Sequence, residues 1–402
     1  MIWKTIGFLK QLYRDCKEDN LLHYSFQYYF IILIYVFLIL SCKYKNPFIL
    51  IWFIYGLIPL IDQITKLDVR NPTREEQKKL TKERRFKIPL YVTVVLDWMF
   101  LIWGIKEIFT NTYGYMYSIG VFIVIGTLQS SSINISHEIF HKPKTWEKII
   151  GTLNLSKNLY MHFLIEHLEG HHKNVCTPED PASSKLNQSV YHFIPRSIIG
   201  GYLSAWKIEN KKCLEVYKTV FTPYNRMFYF SASNVLTPLI VFVYYGWKVT
   251  FVFVLLALMS VVYLEVINYF EHYGLSRKKL ENGVYENVDI RHSWNAPHRL
   301  SNYMLFKLQR HSDHHENSLK PYQSLCSYEE SPTLPNGYSM CLLLAMFPQL
   351  WFSIMNPLVE VYNNGQKISE KMKEEIQDRI LRIIYNVNIV AFLMIIIQYL
   401  QF

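Results

Sequence analysis

Six stretches of this 402-residue chain are apolar, almost free of charge, and long enough to cross about 30 Å of hydrocarbon, which takes roughly 20 residues of helix. They lie near 25–42, 47–65, 88–109, 114–135, 229–246 and 249–270. A backbone inside lipid must satisfy its own polar groups, and uninterrupted apolar runs do so as helices. The expectation is an all-α integral membrane protein, multi-pass, with a six-helix bundle. Half of the residues are hydrophobic and 16% aromatic, more apolar surface than a soluble core of this size needs. The charged segment RDCKEDN before the first run, with no small-residue cleavage pattern after it, argues against a cleavable signal peptide.

Lys and Arg set the expected orientation. The loop after the second run carries Arg70, Arg74, Lys78, Lys79, Lys82, Arg84, Arg85 and Lys87, whereas the links after the third and fifth are short and nearly uncharged. The positive-inside rule then puts the N-terminus and the loops after runs two, four and six in the cytosol. On this reading the formal charge of +10 is mostly a topology signal, and no nucleic-acid partner is expected. The six cysteines include no C-x-x-C pair, which speaks against a disulfide framework or a rubredoxin-type iron site. There is no G-x-G-x-x-G or P-loop, so electrons for any redox chemistry must arrive from outside.

Nine of the fourteen histidines fall into four compact groups: HEIFH (137–141), EHLEGHH (166–172), FEHYG (270–274) and HSDHH (311–315). The topology argument gathers all four at one membrane face. His137 and His141, His167 and His171, and His311 and His315 are each four apart, a spacing that puts two imidazoles on one helical face and within reach of one ion. His172 and His314 point elsewhere on the helix circumference and are free to serve a second. Nine imidazoles exceed what one tetrahedral or octahedral ion takes, so two metals are expected; an all-nitrogen set suits iron, copper or zinc. Each group also carries a carboxylate, Glu138, Glu166, Glu271 or Asp313; most of them are expected to accept the outer N–H of a ligating histidine, with a direct ligand role for one left open.

Competing readings exist for the same residues. HEIFH alone fits the H-E-x-x-H zinc-protease pattern, but six further clustered histidines exceed what such a site requires. A metal transporter would place its ligands inside the spans, where only Asp62, Asp97 and Glu265 lie in apolar segments. His23, His162, His192, His292 and His298 are isolated and read as ordinary polar residues. His272 stands alone in its motif, as a helix-terminal histidine often does.

The stretches SHEIFHK (136–142), EHLEGHHKNV (166–175), NYFEHYGL (268–275) and LQRHSDHH (308–315) together resemble the integral-membrane alkane hydroxylases, relatives of the membrane fatty acid desaturases and hydroxylases. IPLIDQITKLDVRNP from 58, TPEDPAS from 177, HSWN from 292 and LPNGYSMCLLLAMFPQLWFSIMNP from 334 extend the likeness over about 58–357. The resemblance implies a non-haem di-iron centre held by His137, His141, His167, His171, His172, His272, His311, His314 and His315, with NYFEHYGL bringing His272 into the set. It further implies terminal hydroxylation of an alkane by O2, with rubredoxin, ferredoxin or a similar protein and its reductase as electron donor. An unactivated C–H bond offers side chains no acid, base or leaving group to exploit, so the oxidising power has to come from the metal and O2. No catalytic residue is expected beyond the metal ligands. Other membrane di-iron substrates, such as a fatty acyl chain, an alkyl ether or a xylene-like methyl, remain open, as does a metal-handling membrane protein.

The expected organisation is a cytosolic segment at 1–24, a membrane hydroxylase domain at 25–365, and a C-terminal part at 366–402. In that last part a charged linker precedes the uncharged run IIYNVNIVAFLMIIIQYLQF, which the family's usual six spans do not include. A membrane-associated helix is expected there, its topology open.

Overall fold

The computed structural model describes residues 24–400; the segment before Tyr24, with His23 and Cys16, lies outside the described residues. The described chain is helical, with isolated β-bridges in place of a sheet. Its long helices are α1 (Tyr24–Lys43), α2 (Phe48–Ile64), α3 (Arg84–Thr110), α4 (Gly114–Phe140), α5 (Val190–Tyr217), α6 (Arg226–Glu271), α7 (Tyr338–Ala345 and Pro348–Asn363) and α8 (Glu370–Leu400). Five of them, α1, α3, α4, α6 and α8, are long and apolar enough to cross a membrane, and the two arms of α7, bent by 120°, make a sixth if taken as one span. This is the architecture of a multi-pass bundle.

Two expectations change. The run at 47–65 forms a helix of 17 residues, Phe48–Ile64, whose middle segment Phe53–Leu57 is π-helical. The runs at 229–246 and 249–270 form one 46-residue element, α6, interrupted at Gly246 alone, where φ is 78° and ψ 174°. That backbone region is essentially closed to residues with a Cβ, so a glycine can break the helix with no intervening loop. Hydropathy registers the dip in the pattern but not that a single residue suffices for it.

α4 is the most buried of the long helices and packs against α3 on one side and α6 on the other. Several polar residues inside these spans are paired, which offsets the cost of placing them in lipid. Tyr35 donates to Asp97; Glu265 accepts from Tyr160 Oη at 2.8 Å and Ser197 Oγ at 2.5 Å; Asp62 Oδ1 accepts from the backbone N–H of Leu300 at 2.9 Å. The last contact caps the short helix Arg299–Met304 and ties α2 to the histidine-bearing segment that follows.

The basic loop after α2 is ordered by its own sequence. Thr73 Oγ1 accepts from Glu76 N at 3.2 Å and Glu76 Oε2 accepts from Thr73 N at 2.8 Å, a reciprocal cap that starts the helix Arg74–Lys82. Replacing Gly246 by Ala tests the break in α6. A Cβ there meets nothing within 4 Å, so the penalty is backbone strain alone, about 1–3 kcal/mol, visible as a lowered Tm with unchanged metal content.

Candidate metal centre

All nine clustered histidines come together, in two groups. His137, His141, His167, His172 and His314 form one; His171, His272, His311 and His315 form the other, and within each group the facing nitrogens lie within 4.8 Å of one another. The groups are adjacent, with the His172 and His315 rings 4.5 Å apart. His162, His192, His292 and His298 belong to neither.

Four local structures deliver these rings. α4 continues five residues beyond its expected end at 135, so HEIFH forms its last turn and not a following loop, and His137 and His141 stay on one face. HSDHH forms the helix His311–Glu316, which sends His311 and His315 into one group and His314 into the other. His272 caps the C-terminal end of α6, and its Nδ1 lies 3.0 Å from the carbonyl of His292, which turns Nε2 inward.

EHLEGHH departs from the expected pairing. His167 and His171, four apart, do not share a group, because Glu166–His171 is a π-helix. A π-turn, hydrogen-bonded from i to i+5, is wider than an α-turn and brings residue i+5 round toward residue i, so His167 faces His172, Nε2 to Nε2 at 2.9 Å, and His171 is left for the second group. One wide turn thus feeds both groups from six consecutive residues.

The donor geometry fits metal ions. His137 and His314 bring Nε2 atoms to 2.9 Å, His172 and His141 to 3.3 Å, and His315 and His311 to 3.0 Å. Nitrogens sharing an ion at about 2.1 Å would stand roughly 3.0–3.4 Å apart, depending on coordination number. In the second group Nε2 of His171 and of His272 has no hydrogen-bond partner among the described residues, although the opposite nitrogen of each ring is engaged. Buried polar atoms left in that state call for a ligand.

Burial, and after it the neighbouring imidazoles, holds His141, His167, His172, His311 and His315 well below the usual histidine pKa, and His272 and His314 are pulled down to about 3. Neutral rings keep the lone pair that a metal needs. His171 is the exception. Burial lowers it too, but Asp180, whose Oδ2 lies 2.9 Å from His171 Nδ1, outweighs that and raises it to about 9.

Asp180 was not among the expected site residues, although it stands in the TPEDPAS stretch. Its oxygens also accept from Ser183 Oγ at 2.5 Å and Ala182 N at 3.0 Å, which fix the carboxylate against the ring. Arg310, next to the first histidine of HSDHH, was missed as well. Fully buried, it donates to the carbonyls of Leu325 at 2.6 Å, Asp68 at 2.8 Å and Arg70 at 3.1 Å, binding the basic loop after α2 to the histidine segment.

The four expected carboxylates divide. Glu271 Oε2 lies 3.3 Å from His311 Nε2, the ring nitrogen that also faces His315 and not the outer one, while its Oε1 accepts from Tyr338 Oη at 2.6 Å. Glu138 instead pairs with Lys142 at 2.7 Å, and Asp313 with Lys320 at 2.6 Å and the backbone N–H of Cys326 at 2.6 Å. Glu166 packs against Gly170 and Gly201, and burial first, then Asp180, raises its carboxyl to about 8. Lysines in the flanking sequence compete for the carboxylates of Glu138 and Asp313.

Residues 115–341 match the family described as fatty acid desaturase. Alkane 1-monooxygenase 2 of Alcanivorax borkumensis is 37% identical over 316 residues, covering 78% of this chain and 83% of the relative. The chain belongs to the alkane 1-monooxygenase family. Alkane 1-monooxygenase 2 of Pseudomonas aeruginosa is 35% identical over 333 residues, 82% of this chain and 88% of that protein. A more distant likeness joins the family to the xylene/toluene monooxygenase hydroxylase component of Pseudomonas putida, 23% identical over 228 residues, with 56% and 59% coverage.

Within this family member the Asp180–His171 pair is open to test. Asp180→Asn keeps the shape but removes the charge that orients and strengthens His171. A fall of about 10–100-fold in metal affinity is expected, measured by chelator competition on the purified protein.

Proposed function

We propose that this chain hydroxylates the terminal methyl of alkanes to 1-alkanols with O2, and that His137, His141, His167, His172 and His314 hold one iron while His171, His272, His311 and His315 hold the other. The observation that carries the reading is the convergence of nine imidazoles, eight of them buried and His172 half-buried, into two adjacent groups in a chain of this family. Two bound irons would supply the oxidising power, with O2, that an unreactive C–H bond demands.

The protein's own contribution is positioning and the exclusion of water. A cavity of about 80 Å³ lies between α1, α2, α4 and α6, lined by Ile31, Ile34, Ile54, Tyr55, Leu128 and Ile267 among others. Its wall includes Tyr338, which holds Glu271 beside His311, so the apolar space lies two side chains from the second histidine group. An extended alkyl chain suits such a lining and a charged metabolite does not.

Electrons come from a separate protein on this reading, with rubredoxin or ferredoxin as the class. Arg310 joins the basic loop after α2 to the metal segment, so the positive-inside rule that assigns the loop to the cytosol assigns the histidines there too. The same positive charge favours an acidic donor. Protein purified in detergent with iron, supplied with rubredoxin, its reductase and a panel of alkanes, fatty acids and xylene, should yield 1-alkanols. His272→Ala should lose most of the iron of its group and at least about a hundredfold of the activity, since ligand loss empties the site. Oxygenation confined to an acyl chain or an aromatic methyl would overturn the choice of substrate.

A further inference from the structure

α8 is the helix that the family's usual six spans leave out, and it lies against α2. It presents a single stripe to the bundle: Ile380, Ile384 and Gln398 are buried, Asn388 is half-buried between them, and most of the remaining surface faces outward. The stripe packs along α2 over that helix's whole length. The two run antiparallel, since Asn46, just before α2, donates from Nδ2 to the carbonyl of Ile395 at 2.9 Å, while residues later in α2 meet Asn388, earlier in α8.

Asn388 sits where α2 is irregular. Its Oδ1 accepts from Trp52 Nε1 at 2.8 Å, and its Nδ2 donates to the carbonyl of Gly56 at 3.3 Å, so one side chain grips the residue before the π-turn Phe53–Leu57 and a carbonyl within it. Gly56 permits the approach, because a Cβ there would stand 2.7 Å from Asn388 Oδ1. A side-chain amide in the apolar depth of a bundle is costly unless paired, and this one is paired on both sides, to Trp52 and Gly56 of α2 and to the Ile384 carbonyl of its own helix at 2.8 Å.

The opposite face of the same turn is the cavity wall. Ile54 and Tyr55 line the cavity, and Tyr55 Oη lies 3.0 Å from Thr127 Oγ1 on α4. If the π-turn reverted to α-helix, the residues on one side of it would rotate by about 100° relative to the other, moving these two side chains away from their present positions. We propose that α8 is a positioning span for the substrate cavity, with Asn388 clamping the π-turn of α2 and thereby setting how Ile54 and Tyr55 limit the length of alkyl chain accepted. This inference rests on the alkane-hydroxylating reading above.

The test compares the full-length holoprotein with Asn388→Leu, Gly56→Ala, the double variant, and Asn386→Leu, an exposed asparagine of the same helix. Two quantities are read with alkanes of graded length: the ratio of 1-alkanol formed from short and long chains, and the rise in Tm that each alkane produces. Asn388→Leu and Gly56→Ala should each change the short-to-long ratio by about tenfold, the scale of one methylene in an apolar pocket. The double variant should change it no further, because both act on one contact. Asn386→Leu should keep the native ratio. If Asn388→Leu fails to hold iron, Trp52→Phe, which deletes one hydrogen bond and keeps a ring, should shift the ratio the same way by less. A native ratio in Asn388→Leu with full iron content overturns the clamp. Should the native protein oxidise no alkane, the substrate reading falls, and the length dependence of the Tm rise decides the clamp independently.

Discussion

Imidazole nitrogens held about 3 Å apart are the constraint around which the chain is organised. A pair such as His137 and His314, Nε2 to Nε2 at 2.9 Å, can share at most one proton. Nine rings, eight of them buried, with ring nitrogens turned toward each other are unfavourable until something electron-poor stands between them. The surrounding structure therefore has to hold them together in advance. Asp180 fixes His171, the His292 carbonyl fixes His272, and Arg310 and Asp62 tie the histidine segments back to the chain around α2.

The membrane supplies the other half of the explanation. In lipid the spans gain little from burying one apolar face against another, so the specific links between them are polar and few. Tyr35 to Asp97, between α1 and α3, is a link of this kind, and Glu265 of α6, seven residues before His272, is paired to Tyr160 and to Ser197 of α5. The apolar cavity and the second histidine group are linked through Tyr338, which lines the cavity and donates to Glu271, and through Glu271, 3.3 Å from His311 Nε2.

Much of this is legible in the sequence, for reasons that differ residue by residue. The spans are visible because a bilayer imposes a length and a polarity that no other environment does, and the histidines are visible because nine of fourteen fall in four short words. The pairings at 137 and 141 and at 311 and 315 follow from α-helical spacing and are found. What escapes is set by tertiary context. Asp180 is one acidic residue in a loop until the fold brings it 2.9 Å from His171, while Glu138 and Asp313, adjacent to histidines in the chain, are taken up by Lys142 and Lys320. Gly246 escapes for a backbone reason, since hydropathy does not register that one residue with a positive φ can replace a loop.

The π-turns have the same origin and a larger consequence. Periodicity arguments assume 3.6 residues per turn, and the chain departs from that value both at the metal groups and at the cavity wall. At Glu166–His171 an α-helical EHLEGHH would stack His167 over His171 and commit both to one ion, leaving His172 directed away. The wider turn instead pairs His167 with His172 and releases His171 toward Asp180, and this is how a single short segment contributes to two groups at once. A π-turn is less stable than the α-turn it replaces, so it persists only where neighbours hold it. At this one the neighbours are Asp180, 2.9 Å from His171 Nδ1, and the facing Nε2 atoms of His167 and His172 at 2.9 Å, so relaxing the turn would dismantle both histidine groups together.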